Sequence, residues 1–185
     1  MNLPNKITVF RMFIAPVFLA VYLLNFSHSY LVAAIIFILG AVTDAIDGRL
    51  ARKNNMVTDF GKLLDPIADK MLVTACMLGF MKDGLCNIWI VMIILSREFA
   101  VTSLRLIASA QGVVIPANIF GKIKTVSQMV LSAVILVLCD IISSFALEIN
   151  LPLISNILMA ITMIFAVVSG IIYFAEGLKL INIKK

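Results

Sequence analysis

Four aspartates, Asp44, Asp47, Asp65 and Asp69, are the residues of this 185-residue chain whose type and spacing point most directly to chemistry. Asp44 and Asp47 are spaced i,i+3 and Asp65 and Asp69 i,i+4, so in a helix each pair projects from one face. Apolar residues crowd them. Leu31 to Thr43 offers about 13 residues, roughly 20 Å of helix, before the first aspartate, against a hydrocarbon layer of about 30 Å. Met71 to Met81 offers about 11 residues, roughly 16 Å, after the last. The aspartates are therefore expected at membrane depth, where each costs roughly 2.5–3.5 kcal/mol at a helix centre and four cost on the order of 10 kcal/mol as an upper bound. Antiparallel helices on either side of residues 52 to 64 can gather all four carboxylates, whose repulsion is relieved if cations are bound. Hard oxygen donors without histidine or thiol select magnesium, manganese or calcium over zinc or copper, and four carboxylates allow a two-ion site. The competing reading is helix-end charge: Arg49, Arg52 and Lys53 could neutralise the first pair, and the second pair could sit at the helix start that Pro66 signals. That accounts for single residues, but not for four carboxylates on two facing stretches of a chain with ten acids in all.

The elements that must position these residues are set by composition. The chain is 62% hydrophobic and 14% charged, with mean hydropathy +1.11, where a soluble domain is about 45–50% apolar and about 25% charged. Soluble, collagenous and disordered classes are excluded. Apolar runs at Val9 to Leu24, Leu31 to about Ala51, Pro66 to Met81, Ile88 to about Ala110, Phe120 to Leu138 and Leu151 to Phe174 predict an all-α polytopic membrane protein. It has six transmembrane helices after a short N-terminal juxtamembrane segment, all in a single domain over 1–185. No small-x-small site follows the first run, which is expected to be retained rather than cleaved as a signal peptide. Of the 15 lysines and arginines all but Lys82 fall on one side, which places both termini and the aspartates in the cytoplasm. The net charge of +5 then faces anionic head groups, and no nucleic-acid partner is indicated. Without a transit peptide, a bacterial cytoplasmic membrane is the expected location.

Smaller features have simpler readings. Cys76, Cys86 and Cys139 lack metal or disulfide spacing and read as apolar fillers. Tyr22, Tyr30, Trp89 and Tyr173 fit interfacial aromatic belts, and His28 a solvated outer loop. Arg97 and Glu98 differ, because Ile88 to Leu95 and Phe99 to Val101 place them inside a span, where charge is functional by default.

The stretch Asp44-x2-Asp47-Gly48-x2-Ala51-Arg52-x8-Gly61-x3-Asp65-x3-Asp69 resembles the signature of the CDP-alcohol phosphotransferases at all eight positions. Span count, length and the cytoplasmic face of the motif agree with that family. The resemblance implies a metal-dependent phosphatidyltransferase of phospholipid biosynthesis, using Mg2+ or Mn2+, which displaces CMP from CDP-diacylglycerol with an alcohol. Residues 3–11, 96–105 and 121–125 resemble the branch whose acceptor is glycerol 3-phosphate. Branches with phosphatidylglycerol, inositol or serine as acceptor share the aspartates. A homodimer with one site per protomer is also implied.

Reaction physics agrees with the residues. Attack of a hydroxyl on a pyrophosphate requires the phosphate charge to be masked, which suits metal ions held by Asp44, Asp47 and Asp65. The family pattern makes Asp69 the proton acceptor and a further metal ligand. Gly48 lets backbone approach the nucleotide, and Arg52 can fork two hydrogen bonds to the pyrophosphate. The resemblance adds Asn5 and Thr58 as contacts to cytidine or its phosphates. Arg97, Arg105, Lys122 and Lys124 are candidates for the acceptor's phosphate, with Thr8 and Lys62 behind them. From another class, a cation-coupled transporter would also use intramembrane aspartates, but it predicts midplane unwinding and an internal repeat that the sequence lacks.

Overall fold

A computed structural model describes the backbone of residues 3–24, 26–53, 59–113 and 119–180, and the side chains of all of these except 3–7, 44–53, 59–63 and 65. Among the described residues the chain is all-helical: α1 (Leu3–Leu23), α2 (Ser29–Lys53), α3 (Asp59–Lys82), α4 (Ile88–Ala110), α5 (Ile119–Phe145) and α6 (Leu151–Leu180). Two of these, α5 and α6, are long and apolar enough by themselves to cross a membrane. Shorter apolar stretches occupy Thr8–Leu23 and Ser29–Thr43.

Helix boundaries exceed the apolar runs at several ends. The predicted juxtamembrane segment is the opening of α1, α3 starts at Asp59 rather than Pro66, α5 runs to Phe145 rather than Leu138, and α6 runs to Leu180 rather than Phe174. Hydropathy marks where the side chains change, whereas the helix persists as long as its polar residues find partners or water. Asp140 illustrates this: its Oδ2 lies 3.0 Å from His28 Nδ1, so a carboxylate read as a break stays inside α5. His28, at φ 62° in the α1–α2 turn, is exposed as expected but is tied to α5. The α3–α4 turn is closed similarly. Asn87 caps α4 by accepting from the Trp89 N–H at 2.9 Å, and Asn156 of α6 accepts from the Asn87 N–H at 2.8 Å.

Packing orders the helices as a ring. α1 lies along both α2 and α3, α2 on α5, α5 on α6, α6 on α4 and α4 on α3, while α2 and α3 touch only sparsely. α1 packs along both, and α2 and α3 also meet directly where Gly40 approaches Leu72. Phe18, Phe37, Met77 and Phe80 fill the α1–α2–α3 half, and Ile94, Ile135, Leu136 and Met159 the other. Outward faces of all six helices carry exposed large apolar side chains, such as Phe13, Ile38, Leu78, Met92, Val130 and Ile164, an arrangement that suits hydrocarbon and not water. Cys76, Cys86 and Cys139 are free and buried, as their reading as fillers requires.

Glycine sets the closest approaches. A Cβ on Gly40 of α2 would lie 2.6 Å from Leu72 of α3 and 3.4 Å from Ile14 of α1, so the three helices share one level there. A Cβ on Gly79 would lie 2.8 Å from the ring of Tyr22, which is buried and donates its hydroxyl to Asp83 at 2.8 Å. Tyr22 is therefore a core residue and not part of an interfacial belt. Since that ring cannot swing away, Gly79→Ala is expected to cost about 1–3 kcal/mol through overpacking. Thermal unfolding of the detergent-solubilised protein checks this, and an unshifted midpoint would show that α1 and α3 are not packed this closely.

Candidate active site

The close approach at Gly40, Leu72 and Ile14 fixes the register of the acidic motif. Counting one turn from it toward the shared end of the helices reaches Asp44 on α2, Asp69 on α3 and Arg11 on α1. A further turn reaches Asp47 and Asp65. Both pairs thus stand at matching levels of antiparallel helices. Asp44, Asp47, Gly48 and Arg52 lie on the backbone of α2, Asp65 and Lys62 on α3 and Asn5 on α1, with their side chains outside the described residues; Thr58 lies outside them entirely.

Asp69 is the member of the quartet whose side chain is described. It is 46% exposed, and its Oδ1 accepts from Arg11 Nη1 at 2.7 Å. Arg11 is itself 3% exposed, so a buried cation on α1 orients a half-exposed carboxylate on α3. An accessible, oriented oxygen donor one turn from Asp65 and level with Asp44 suits a hard divalent cation better than a soft one.

Asp69 borders a cavity of about 620 Å³ among α3, α4, α5 and α6. Its other polar walls bring together residues far apart in sequence: Lys70, Arg97, Glu98, Arg105, Lys122 and Lys124. Five cations face two carboxylates. All four leading candidates for the acceptor phosphate therefore share one cavity with the candidate proton acceptor. Thr8 is buried on α1 and is not part of this wall.

Each cation is held differently. Arg97 donates Nε to the Ala166 carbonyl at 3.2 Å and Nη2 to Ser169 Oγ at 2.8 Å. Gly170 makes room for it, since a Cβ there would stand 3.0 Å from Arg97 Cγ. Arg105 donates Nε to the Tyr173 hydroxyl at 3.2 Å, with its guanidinium carbon 5.6 Å from the ring centre. Lys124, 3% exposed on α5, bonds Glu98 of α4. Lys122 is exposed at the cavity's edge. Such a basic, largely pre-ordered pocket is suited to a phosphate group.

Sequence reasoning missed Lys70 and Tyr173 as parts of this wall and marked Glu98 as functional without a specific role. Lys70 was visible only as one more positive charge at a helix end. Tyr173 is 3% exposed and lines the cavity, which corrects its reading as a belt residue. Tyr30, partly exposed near the start of α2 with its hydroxyl 3.4 Å from Asp83, and Trp89 at 72% exposure fit that reading.

A family model described as CDP-alcohol phosphatidyltransferase matches residues 1–168. The chain is 39% identical over 95% of its length to the CDP-diacylglycerol--glycerol-3-phosphate 3-phosphatidyltransferase of Bacillus subtilis, of which it covers 95%. It is 36% identical over 94% of its length to the protein of the same name in Rickettsia bellii, covering 93% of it. It is also 37% identical over 96% of its length to a probable phosphatidylglycerophosphate synthase of Mycobacterium tuberculosis, covering 82% of that longer chain.

The packing of Gly170 on Arg97 has a measurable consequence. Gly170→Ala should push the Arg97 guanidinium off Ser169 and Ala166 and weaken phosphate affinity about tenfold, the scale of one charge-assisted hydrogen bond. Titration of inorganic phosphate against the thermal unfolding midpoint measures this, and a wild-type titration curve would remove Arg97 from the phosphate pocket.

Proposed function

The chain belongs to the CDP-alcohol phosphatidyltransferase family, and from that premise we propose that it transfers the phosphatidyl group of CDP-diacylglycerol to glycerol 3-phosphate, giving phosphatidylglycerophosphate and CMP. The observation that carries the choice of acceptor is the cationic cavity beside Asp69. A wall of five cations matches an acceptor that brings its own phosphate, and gives inositol or serine little to bind. Relatives named for glycerol 3-phosphate transfer support the same choice.

The acceptor's phosphate sits among Arg97, Arg105, Lys122 and Lys124, which turns its hydroxyl toward Asp69. That hydroxyl oxygen attacks the phosphorus that carries the diacylglycerol; the new P–O bond forms as the bond to the CMP oxygen breaks, and the hydroxyl proton passes to the Asp69 carboxylate. Arg11 holds that carboxylate in place through Oδ1. Asp44, Asp47 and Asp65, with Asp69, would hold the divalent cations, Mg2+ or Mn2+, which when bound supply charge neutralisation for the pyrophosphate. Arg52 adds a forked donor to the same phosphates, Gly48 admits the nucleotide closely, and Asn5 and Thr58 contact the cytidylyl part. Thr8, buried on α1 outside the cavity wall, and Lys62 rank behind the four cations.

The same reading extends to the setting. All six helices cross the bilayer as one domain, both termini and the site face the cytoplasm, and the protein works as a homodimer in the cytoplasmic membrane. Support comes from the apolar outer faces of every helix and from the charge asymmetry between the two ends. Aspartates near the head groups then meet a lipid donor from the leaflet and a soluble acceptor from the cytoplasm.

Release of CMP by the purified protein, compared across glycerol 3-phosphate, phosphatidylglycerol, inositol and serine, tests the acceptor; equal or better turnover with another alcohol would reassign the branch. Asp69→Asn should lower kcat by at least about 100-fold with nucleotide binding retained, as loss of a general base does. Wild-type turnover in that variant would remove Asp69 as proton acceptor. Arg105→Ala should raise the KM for glycerol 3-phosphate about tenfold or more while leaving that for CDP-diacylglycerol nearly unchanged. Equal effects on both substrates would contradict a dedicated phosphate pocket.

A further inference from the structure

Glu98 is the anomaly of the cavity. A pocket suited to an anion ought to exclude carboxylates, because each one repels the ligand and offsets a cation. Yet Glu98 stands in its wall, mostly buried, on the same helix as Arg97. Its Oε1 contacts Lys124 Nζ and lies 3.5 Å from Arg97 Nη1, and its Oε2 lies 3.6 Å from Lys70 Nζ. Three cations from α3, α4 and α5 thus converge on one carboxylate.

The three do not depend on it equally. Arg97 is already anchored by Ala166 and Ser169 of α6. Lys124 and Lys70 end in flexible four-carbon stems, which a point charge must find a partner to hold. For a lysine as buried as Lys124, a carboxylate from the facing helix supplies both orientation and neutralisation at membrane depth.

We propose that Glu98 is a positioning residue for the acceptor: a resident anion that keeps Lys124 and Lys70 pointed into the cavity when it is empty and shares them with the phosphate that enters. The assignment rests on the glycerol 3-phosphate reading above. It gives the pocket a selectivity that bare cations lack. A dianionic phosphate can compete with Glu98 for the lysines, whereas a neutral alcohol or a singly charged diester draws them away less well. With the carboxylate gone, the lysines separate under mutual repulsion and must be reassembled at each binding event, so the loss falls on acceptor affinity and not on the chemical step.

The test compares the full-length wild type with Glu98→Gln and Glu98→Asp in detergent. Glu98→Gln should raise the KM for glycerol 3-phosphate about tenfold or more, with kcat and the KM for CDP-diacylglycerol changed by less than about threefold. Glu98→Asp keeps the charge on a shorter stem and should recover part of that loss. In parallel, glycerol 3-phosphate should protect the wild type against thermal unfolding at concentrations that leave Glu98→Gln unprotected. An acceptor KM unchanged in Glu98→Gln, a fall in kcat with both KM values moving together, or protection equal to wild type would each overturn the role. If Glu98→Gln does not fold, Glu98→Asp decides alone: a raised acceptor KM at normal kcat supports the assignment, and wild-type constants overturn it. Should wild-type protein release no CMP with glycerol 3-phosphate, the transferase reading fails separately, and the protection measurement still decides whether Glu98 orders an anion site.

Discussion

A charged side chain packed among apolar helices must be partnered, and the arrangement of the described helices follows from meeting that condition. Arg11 of α1 is matched with Asp69 of α3. Glu98 of α4 is matched with Lys124 of α5 and Lys70 of α3, and Arg105 of α4 with Tyr173 of α6. Every one of these contacts crosses between helices. Ion pairs of this kind contribute little net stability, since desolvation offsets most of their attraction, but they penalise any other helix arrangement because a lone buried charge is far worse. At the far end Tyr22 with Asp83 and His28 with Asp140 act in the same way.

Small residues let the polar wall exist. Gly40, Gly79 and Gly170 each admit a neighbouring side chain where a methyl group would collide, which brings α1, α2 and α3 to a common level and seats Arg97 against α6. The resulting ring leaves space among α3, α4, α5 and α6 instead of filling it with apolar side chains. Charge is then sorted by wall. The acidic motif belongs to α2 and α3, and most of the cations to α4 and α5. A donor whose pyrophosphate needs cations and an acceptor whose phosphate needs lysine and arginine can meet across that division, with Asp69 at its border.

Much of this was legible in the sequence because charges set among long apolar runs are informative. Asp44 and Asp47 after the apolar residues Leu31 to Thr43, and Asp65 and Asp69 before Met71 to Met81, stand out by the shortness of those runs, and the spacing from Asp44 to Asp69 carries the family. Arg97 was conspicuous for the same reason, and the three cations named with it, Arg105, Lys122 and Lys124, line the same cavity. What escaped was whatever depends on partners. Tyr22 and Tyr173 look like belt residues near helix ends, but hydrogen bonds to Asp83 and Arg105 draw them inward. Asp140 looks like a loop residue until His28 appears beside it. Glu98 stands out only as a charge inside an apolar run, whereas its partner Lys124 lies on another helix. Helix ends differ from the apolar runs because hydropathy reports where apolar side chains stop and not where backbone hydrogen bonding does.

The most direct test of the central claim follows the acceptor itself. Radiolabelled glycerol 3-phosphate is incubated with purified wild-type protein, CDP-diacylglycerol and magnesium, and label is counted after extraction into chloroform. Label is expected in a phospholipid that forms only when both the nucleotide-lipid and the divalent cation are present. Label that stays in the aqueous phase, from protein that remains folded, would contradict phosphatidyl transfer to glycerol 3-phosphate.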